Sequence, residues 1–219
     1  METRIESGID YLDQFDALSP GRLTVMLGQT ACGKTVTMAR IASSLNHRGE
    51  SVIIRGTPEL LKYQRLFVGA GGVTYLLRGT ETSEEMARLT VQRPSHRMPR
   101  VVLVDDLGDL VNQFLKECPP EKWQYGQRAA IMGQVAMSLH QLALQANCAV
   151  MAMLTVNRTS GLGAQNWLPS LPNAPSDVAY CADNIFAMER VPDSARQSRD
   201  GLPLVSFKAL KSRNHRLYP

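Results

Sequence analysis

Short runs of β-branched and other apolar residues alternate along this chain with longer stretches whose apolar positions recur every three or four residues. That alternation is the pattern of a parallel sheet whose strands are joined by crossover helices. Strands are predicted at Leu23–Leu27, Ser51–Arg55 (SVIIR), Val101–Asp105 (VVLVD), Ala149–Val156 (AVMAMLTV), Asn184–Arg190 and Leu204–Leu210. The last two flank the polar segment VPDSARQSRDG and read as a hairpin. A helix is predicted from Gly33 or Lys34 through VTMARIASSLNH, ended by Gly49. A longer one is predicted between Gly126 and Asn147, where Ile131, Val135, Leu139, Leu142 and Ala146 share a face. Gly69–Gly72, Gly108–Tyr125 and Arg158–Tyr180 show no usable period and are expected to be loops. The predicted class is α/β: a mostly parallel, twisted sheet flanked by helices, with a C-terminal β-hairpin.

Composition narrows this picture. At 219 residues and 44% apolar content the chain can fill one core but hardly two, so a single domain is expected over 1–219. Within it, 1–20 form a lead-in, 21–189 the core, and 190–219 a basic hairpin and strand. No basic-then-apolar leader opens the sequence, and no window approaches eighteen uninterrupted apolar residues. A cytoplasmic protein with no membrane partner is the expectation. Cys32, Cys118, Cys148 and Cys181 form neither a C-x-x-C pair nor a zinc-ligand cluster, which fits reduced thiols. Net charge is +4 but unevenly spread: residues 190–219 hold seven Lys/Arg against two acids, so the basic character belongs to the C-terminal end. Such an end can meet a nucleic-acid backbone or stay hydrated as ordinary surface.

The chemistry begins at LTVMLGQTACGKT, whose last eight residues fit the phosphate-binding pattern G-x-x-x-x-G-K-[ST]. An apolar strand runs into it and a helix runs out of it. Gly28 and Gly33 would let the backbone turn the N–H groups of Gln29, Thr30, Ala31, Cys32, Gly33, Lys34 and Thr35 toward phosphate, at the positive end of the helix. Lys34 would reach the β- and γ-phosphates of ATP and the Thr35 hydroxyl would hold Mg²⁺. Cys32 is read as a small filler in the loop. An acid at the end of another buried strand is needed on the metal side; VVLVDD offers Asp105, with Asp106 as the alternative. Glu59, just past the second strand in RGTPELL, is the candidate for orienting or deprotonating the attacking water.

Four stretches together resemble the RecA-like ATPase core, and within it the C-terminal motor domain of DnaB-type replicative helicases. They are IESGIDYLDQF with SPGRLTVMLGQTACGKT, RGTPE, LHQLALQANCAVMAMLTVNR, and SDVAYCADNIFAMERV followed by VSFKALKSRNHR. The resemblance implies that Lys211 and Arg213, in KSRN, act as the family's lysine and arginine finger on the γ-phosphate held by a neighbouring subunit. It therefore implies a homo-oligomer, a ring (hexameric in the helicases) or a filament. Where the family usually carries a glutamine sensor, at the end of the fourth strand, this chain has Thr155.

The resemblance further implies single-stranded DNA as a partner, contacted by the loops after the third and fourth strands. These would offer Lys116, Lys122, Trp123, Tyr125, Arg158 and Trp167, cations for phosphates and rings for unpaired bases. Without an N-terminal helical domain, the chain is also similar to small single-domain phage recombinases of RecA type. Three outputs stay open: a ring translocase in replication, a strand-annealing or strand-exchange recombinase, and an ATP-gated assembly or loader protein with replication or recombination partners.

Overall fold

The computed structural model describes residues 4–63, 65, 72, 74–77, 100–117, 127–156, 176–191 and 204–213. The strands are β1 (Leu23–Gly28), β2 (Val52–Arg55), β3 (Thr74–Leu77), β4 (Val101–Val104), β5 (Ala149–Thr155), β6 (Asn184–Arg190) and β7 (Val205–Ser212). The helices, numbered here in chain order, are α1 (Asp10–Gln14), α2 (Lys34–His47), α3 (Pro58–Leu61), α4 (Leu107–Glu117), α5 (Gln127–Ala146) and α6 (Ser176–Cys181).

All seven strands join one sheet in the order β3-β2-β4-β5-β1-β6-β7, with β7 alone antiparallel. A buried parallel sheet needs apolar residues on both faces, and β1, β2 and β4 are buried at every position. Alternate side chains therefore feed two cores. Leu23, Val25 and Leu27 pack with α4 and α5 residues such as Leu110, Val111, Val135 and Leu139. Met26, Met153 and Phe186 pack on the other face with Met38, Ile41 and Leu45 of α2. The result is a helix–sheet–helix sandwich that leaves the carboxyl ends of β1, β5, β4 and β2 side by side.

Every strand expected from the sequence forms, within a residue or two of the expected ends. α2 ends as predicted, with Gly49 at φ 79° beyond its cap. On the long helix α5, Val135, Leu139 and Leu142 are buried and Ile131 and Ala146 partly so. Three corrections concern segments expected to be loops or left without a strand. Part of Gly108–Tyr125 is the helix α4, because Leu107, Leu110, Val111 and Leu115 fall at helical spacing and are all buried. Part of Arg158–Tyr180 is the helix α6. The strand β3 is not among those expected; its four residues are half-buried at the sheet edge, too short and too mixed to carry a period.

The lead-in segment is held by specific contacts. Asp13 Oδ1 accepts from the Ser7 N–H at 2.6 Å and the Ser7 hydroxyl at 2.7 Å, while its Oδ2 takes the Gly8 N–H at 3.2 Å. Leu12 is fully buried, and Tyr11 and Phe15 lie against Phe186 with centroids 6.3 and 5.7 Å away. The Tyr11 hydroxyl accepts from the Ala209 N–H at 3.0 Å, tying this segment to β7. Tyr11→Phe is expected to cost about 1 kcal/mol in a urea melt, the ordinary worth of one such bond.

Candidate nucleotide-binding site

The parallel register brings the predicted site residues other than Lys211 and Arg213 to the carboxyl end of the sheet. Gly28, at the end of β1, lies opposite Thr155 of β5; Val104, just before Asp105, lies opposite Ala152 of β5 and Arg55 of β2. Thr30, Ala31, Lys34, Thr35, Glu59, Asp105, Asp106 and Thr155 line one open cleft of about 460 Å³ at this end. The carboxyl end of a parallel sheet is where α/β folds bind ligands.

Within the phosphate loop each glycine has a reason. A Cβ on Gly28 would come within 2.5 Å of Cys32 Sγ and 3.3 Å of Lys34 Cγ, so the loop closes only around a bare Cα. Gly33 has φ 105°, a conformation that side chains rarely adopt, and it places Lys34 at the start of α2. Cys32 is buried against Gly28, and burial raises its thiol above the ordinary range despite Lys34 nearby. That is the environment of a packed filler rather than a reactive thiolate. Lys34, itself buried, donates from Nζ to the carbonyls of Gln29 at 2.7 Å and Gly28 at 3.1 Å. These are two acceptors that a phosphate oxygen can replace.

Asp105 and Asp106 differ sharply despite being neighbours. Asp105 is 2% exposed, and burial lifts its carboxyl from 3.8 to about 6, against the opposing pull of a hydrogen bond from the Thr35 hydroxyl. Its Oδ2 is buried without a hydrogen-bond partner. A buried, unpaired carboxylate oxygen beside a threonine hydroxyl fits a hard cation, which takes oxygen ligands. Among the described residues no group of three or more His, Cys, Asp or Glu could hold a metal ion. Asp106 is committed elsewhere. Its Oδ1 accepts from the Gly108 N–H at 2.5 Å at the start of α4, and its Oδ2 accepts from the N–H (2.9 Å) and hydroxyl (2.6 Å) of Thr155.

The Asp105 environment gives a pH-dependent expectation. A carboxyl that keeps its proton to about 6 in the folded chain and only to about 3.8 when unfolded binds more protons folded, so stability falls as pH rises between those values. Asp105→Asn is therefore expected to melt higher than the native protein at pH 7, by the equivalent of about 2–3 kcal/mol, with the gap closing below about pH 4. Thermal melts of both proteins across pH 4–7 check it.

Glu59 is exposed on α3, the short helix after β2 that Thr57 and Pro58 begin, and it faces the same cleft. Sequence reasoning missed four further polar side chains lining it: Thr57, Asp109, Asn112 and Arg128. Arg128 donates to Asn112 Oδ1 at 2.7 Å, joining α5 to α4. Burial and then Asp106 raise the Asp109 carboxyl, against Arg55, which is wholly buried at the end of β2. Asp109 and Asn112 are hidden in the sequence because the stretch that forms α4 reads there as loop.

Lys211 and Arg213 are not in this cleft. Lys211 on β7 pairs with Ile185, which pairs with Val25, and the backbone N–H of Arg213 bonds to the Asp183 carbonyl at 3.1 Å. Arg213 thus lies level with the amino end of β1 and Lys211 about midway along it, while the phosphate loop follows Gly28 at the carboxyl end, five residues on from Leu23 or about 17 Å along the strand at about 3.3 Å each. Lys211 Nζ donates to the carbonyls of Ala182 (2.5 Å), Ala179 (2.8 Å) and Tyr180 (3.4 Å), closing the end of α6. Burial lowers its ammonium below the ordinary range. Arg213, 56% exposed at its side chain, pairs with Asp183 at 2.7 Å. Of the residues expected on nucleic-acid loops, Lys116 is exposed on the last turn of α4. Lys122, Trp123, Tyr125, Arg158 and Trp167 lie outside the described residues, as does Cys118.

No protein-family model matches this sequence, and no curated protein matches it. Solved structures do. A DnaB-like replicative helicase, whose structure was described together with its interactions with primase, superposes with a TM-score of 0.71 at 15% identity over 97% of this chain and 57% of that one. A second solved structure, that of an ATPase domain, superposes with the same score and identity over 97% of this chain and 84% of its own. The chain thus spans little more than half the length of the first of these. The likeness establishes the fold expected from the sequence, the RecA-like α/β architecture of helicase ATPase domains. Among the described residues no helix is long and apolar enough to cross a membrane.

Proposed function

We propose that this chain is an ATP-hydrolysing motor of RecA/DnaB type that acts on single-stranded DNA in replication or recombination, as a ring or filament whose sites are completed between subunits. The observation that carries the reading is a split constellation. Lys34, Thr35, Asp105 and Glu59 converge on one cleft, while Arg213 stands at the far end of β1, out of reach of its own chain's cleft.

In this reading Lys34 exchanges its two loop carbonyls for the β- and γ-phosphates, and the helix start at α2 adds its positive end. Thr35 and Asp105 would hold Mg²⁺, which when bound neutralises charge building between the β- and γ-phosphates. Glu59 orients the attacking water and takes its proton. Asp106 locks Thr155 to the tip of β4, so a change at the nucleotide passes directly to the end of β5 and the segment that follows it. A neighbour's Arg213 then stabilises charge on the γ-phosphate, so turnover depends on assembly.

The test combines two measurements, ATP turnover with and without single-stranded DNA at low salt, and particle size with and without ATP and DNA. Turnover raised by DNA, in a particle larger than the monomer, is the expected result. A monomer under all conditions, with turnover indifferent to DNA, would contradict the motor and favour an ATP-gated switch. Unwinding of a forked duplex would select the translocase, and annealing without unwinding the recombinase.

A further inference from the structure

We infer that Asp183 is the positioning residue for the Arg213 finger, fixing it to the same strand that carries the phosphate loop. This rests on the shared-site reading above. Asp183 is 1% exposed, directly before β6, and its carboxylate gathers three elements. Its Oδ2 accepts from the backbone N–H of Leu23, the first residue of β1, at 2.9 Å. Its Oδ1 pairs with Arg213 at 2.7 Å, and the Asp183 carbonyl takes the Arg213 backbone N–H. His140 Nε2, from α5, stands 3.4 Å from Oδ2.

A buried carboxylate is costly unless paired, and its pairing here with a half-exposed guanidinium is informative about what it does. A finger must reach across a subunit boundary without losing its aim, yet a long arginine side chain at a strand end has many rotamers. Asp183 removes that freedom. Its ion pair engages a single nitrogen, Nη1, while more than half of the side chain stays in solvent, and an arginine offers five N–H donors in all. Lys211 acts alongside: it holds the Ala179 carbonyl in α6 and the Ala182 carbonyl directly before Asp183. Because Leu23 opens β1 and Gly28 closes it, the finger serving one neighbour and the loop binding this subunit's own nucleotide hang on opposite ends of one rigid strand.

The test uses Asp183→Asn, whose amide oxygen still accepts from Leu23 but whose charge no longer holds the guanidinium. Alone it is expected to lower turnover at least tenfold with little change in the KM for ATP. Mixed with Lys34→Ala, which keeps an intact finger but lacks a working loop, it is expected to regain turnover, because its own loop is sound. Unchanged turnover in Asp183→Asn overturns the inference, as does a loss that Lys34→Ala subunits fail to restore, since a merely structural role damages the chain's own site. An Arg213→Ala and Lys34→Ala mixture run in parallel separates the levels. If that mixture recovers and the Asp183→Asn mixture does not, only the role of Asp183 falls; if neither recovers, the shared site falls with it. Should Asp183→Asn fail to fold, Asp183→Glu keeps the charge but moves it by one methylene, and the same loss and recovery are expected.

Discussion

Replacing Lys34 with alanine is expected to lower ATP turnover by at least about a hundredfold, the loss seen when one preorganised donor to a developing negative charge is removed. Its ammonium is held by the Gln29 and Gly28 carbonyls inside a loop closed by Cys32 against Gly28. The loop therefore survives the substitution as a shape, though two hydrogen bonds poorer, while the charge on the β- and γ-phosphates goes unanswered. Steady-state turnover checks the catalytic loss, and a thermal melt separates it from unfolding. A variant that folds and still hydrolyses ATP at more than about a tenth of the native rate contradicts the assignment.

Arg213→Ala is expected to lose about a thousandfold in turnover, the lower end of what an arginine finger supplies, or about 4 kcal/mol of transition-state stabilisation. Nucleotide affinity should change little, because the residue lies at the opposite end of β1 from its own phosphate loop. A fluorescent nucleotide titration alongside turnover separates the two effects. Equal loss of affinity and turnover would point to a folding defect transmitted from Asp183 instead of a missing finger.

How far the sequence foretold this site depends on the reach of each signal. The phosphate loop, Asp105 and the strands around them were legible because a parallel sheet writes itself as continuous apolar runs, and the loop as a fixed spacing of Gly, Lys and Thr. Glu59 was found from its place after β2, and it lines the same cleft. Asp109, Asn112 and Arg128 were not found, since α4 opens on a glycine-containing, acid-rich stretch that looks like loop even though Leu107, Leu110, Val111 and Leu115 carry the helical period. The sequence put Asp105 first on the metal side, but what Asp106 does instead was beyond it. That follows from which of the two ends up buried beside Thr35 and which reaches across to Thr155, a matter of backbone direction at the tip of β4. Likewise KSRN suggested a finger, but only the pairing of Arg213 with a buried Asp183 reveals how one would be held.

The central claim is that each active site is built by two subunits, and mixing two inactive proteins tests it most directly. Lys34→Ala supplies a sound finger and Arg213→Ala a sound phosphate loop, so in an equal mixture about a quarter of the interfaces pair the two by chance. ATP turnover of that mixture should rise to roughly a quarter of the native rate, far above either variant alone. Turnover that stays at the level of the separate variants, in particles shown to contain both, would contradict the shared site.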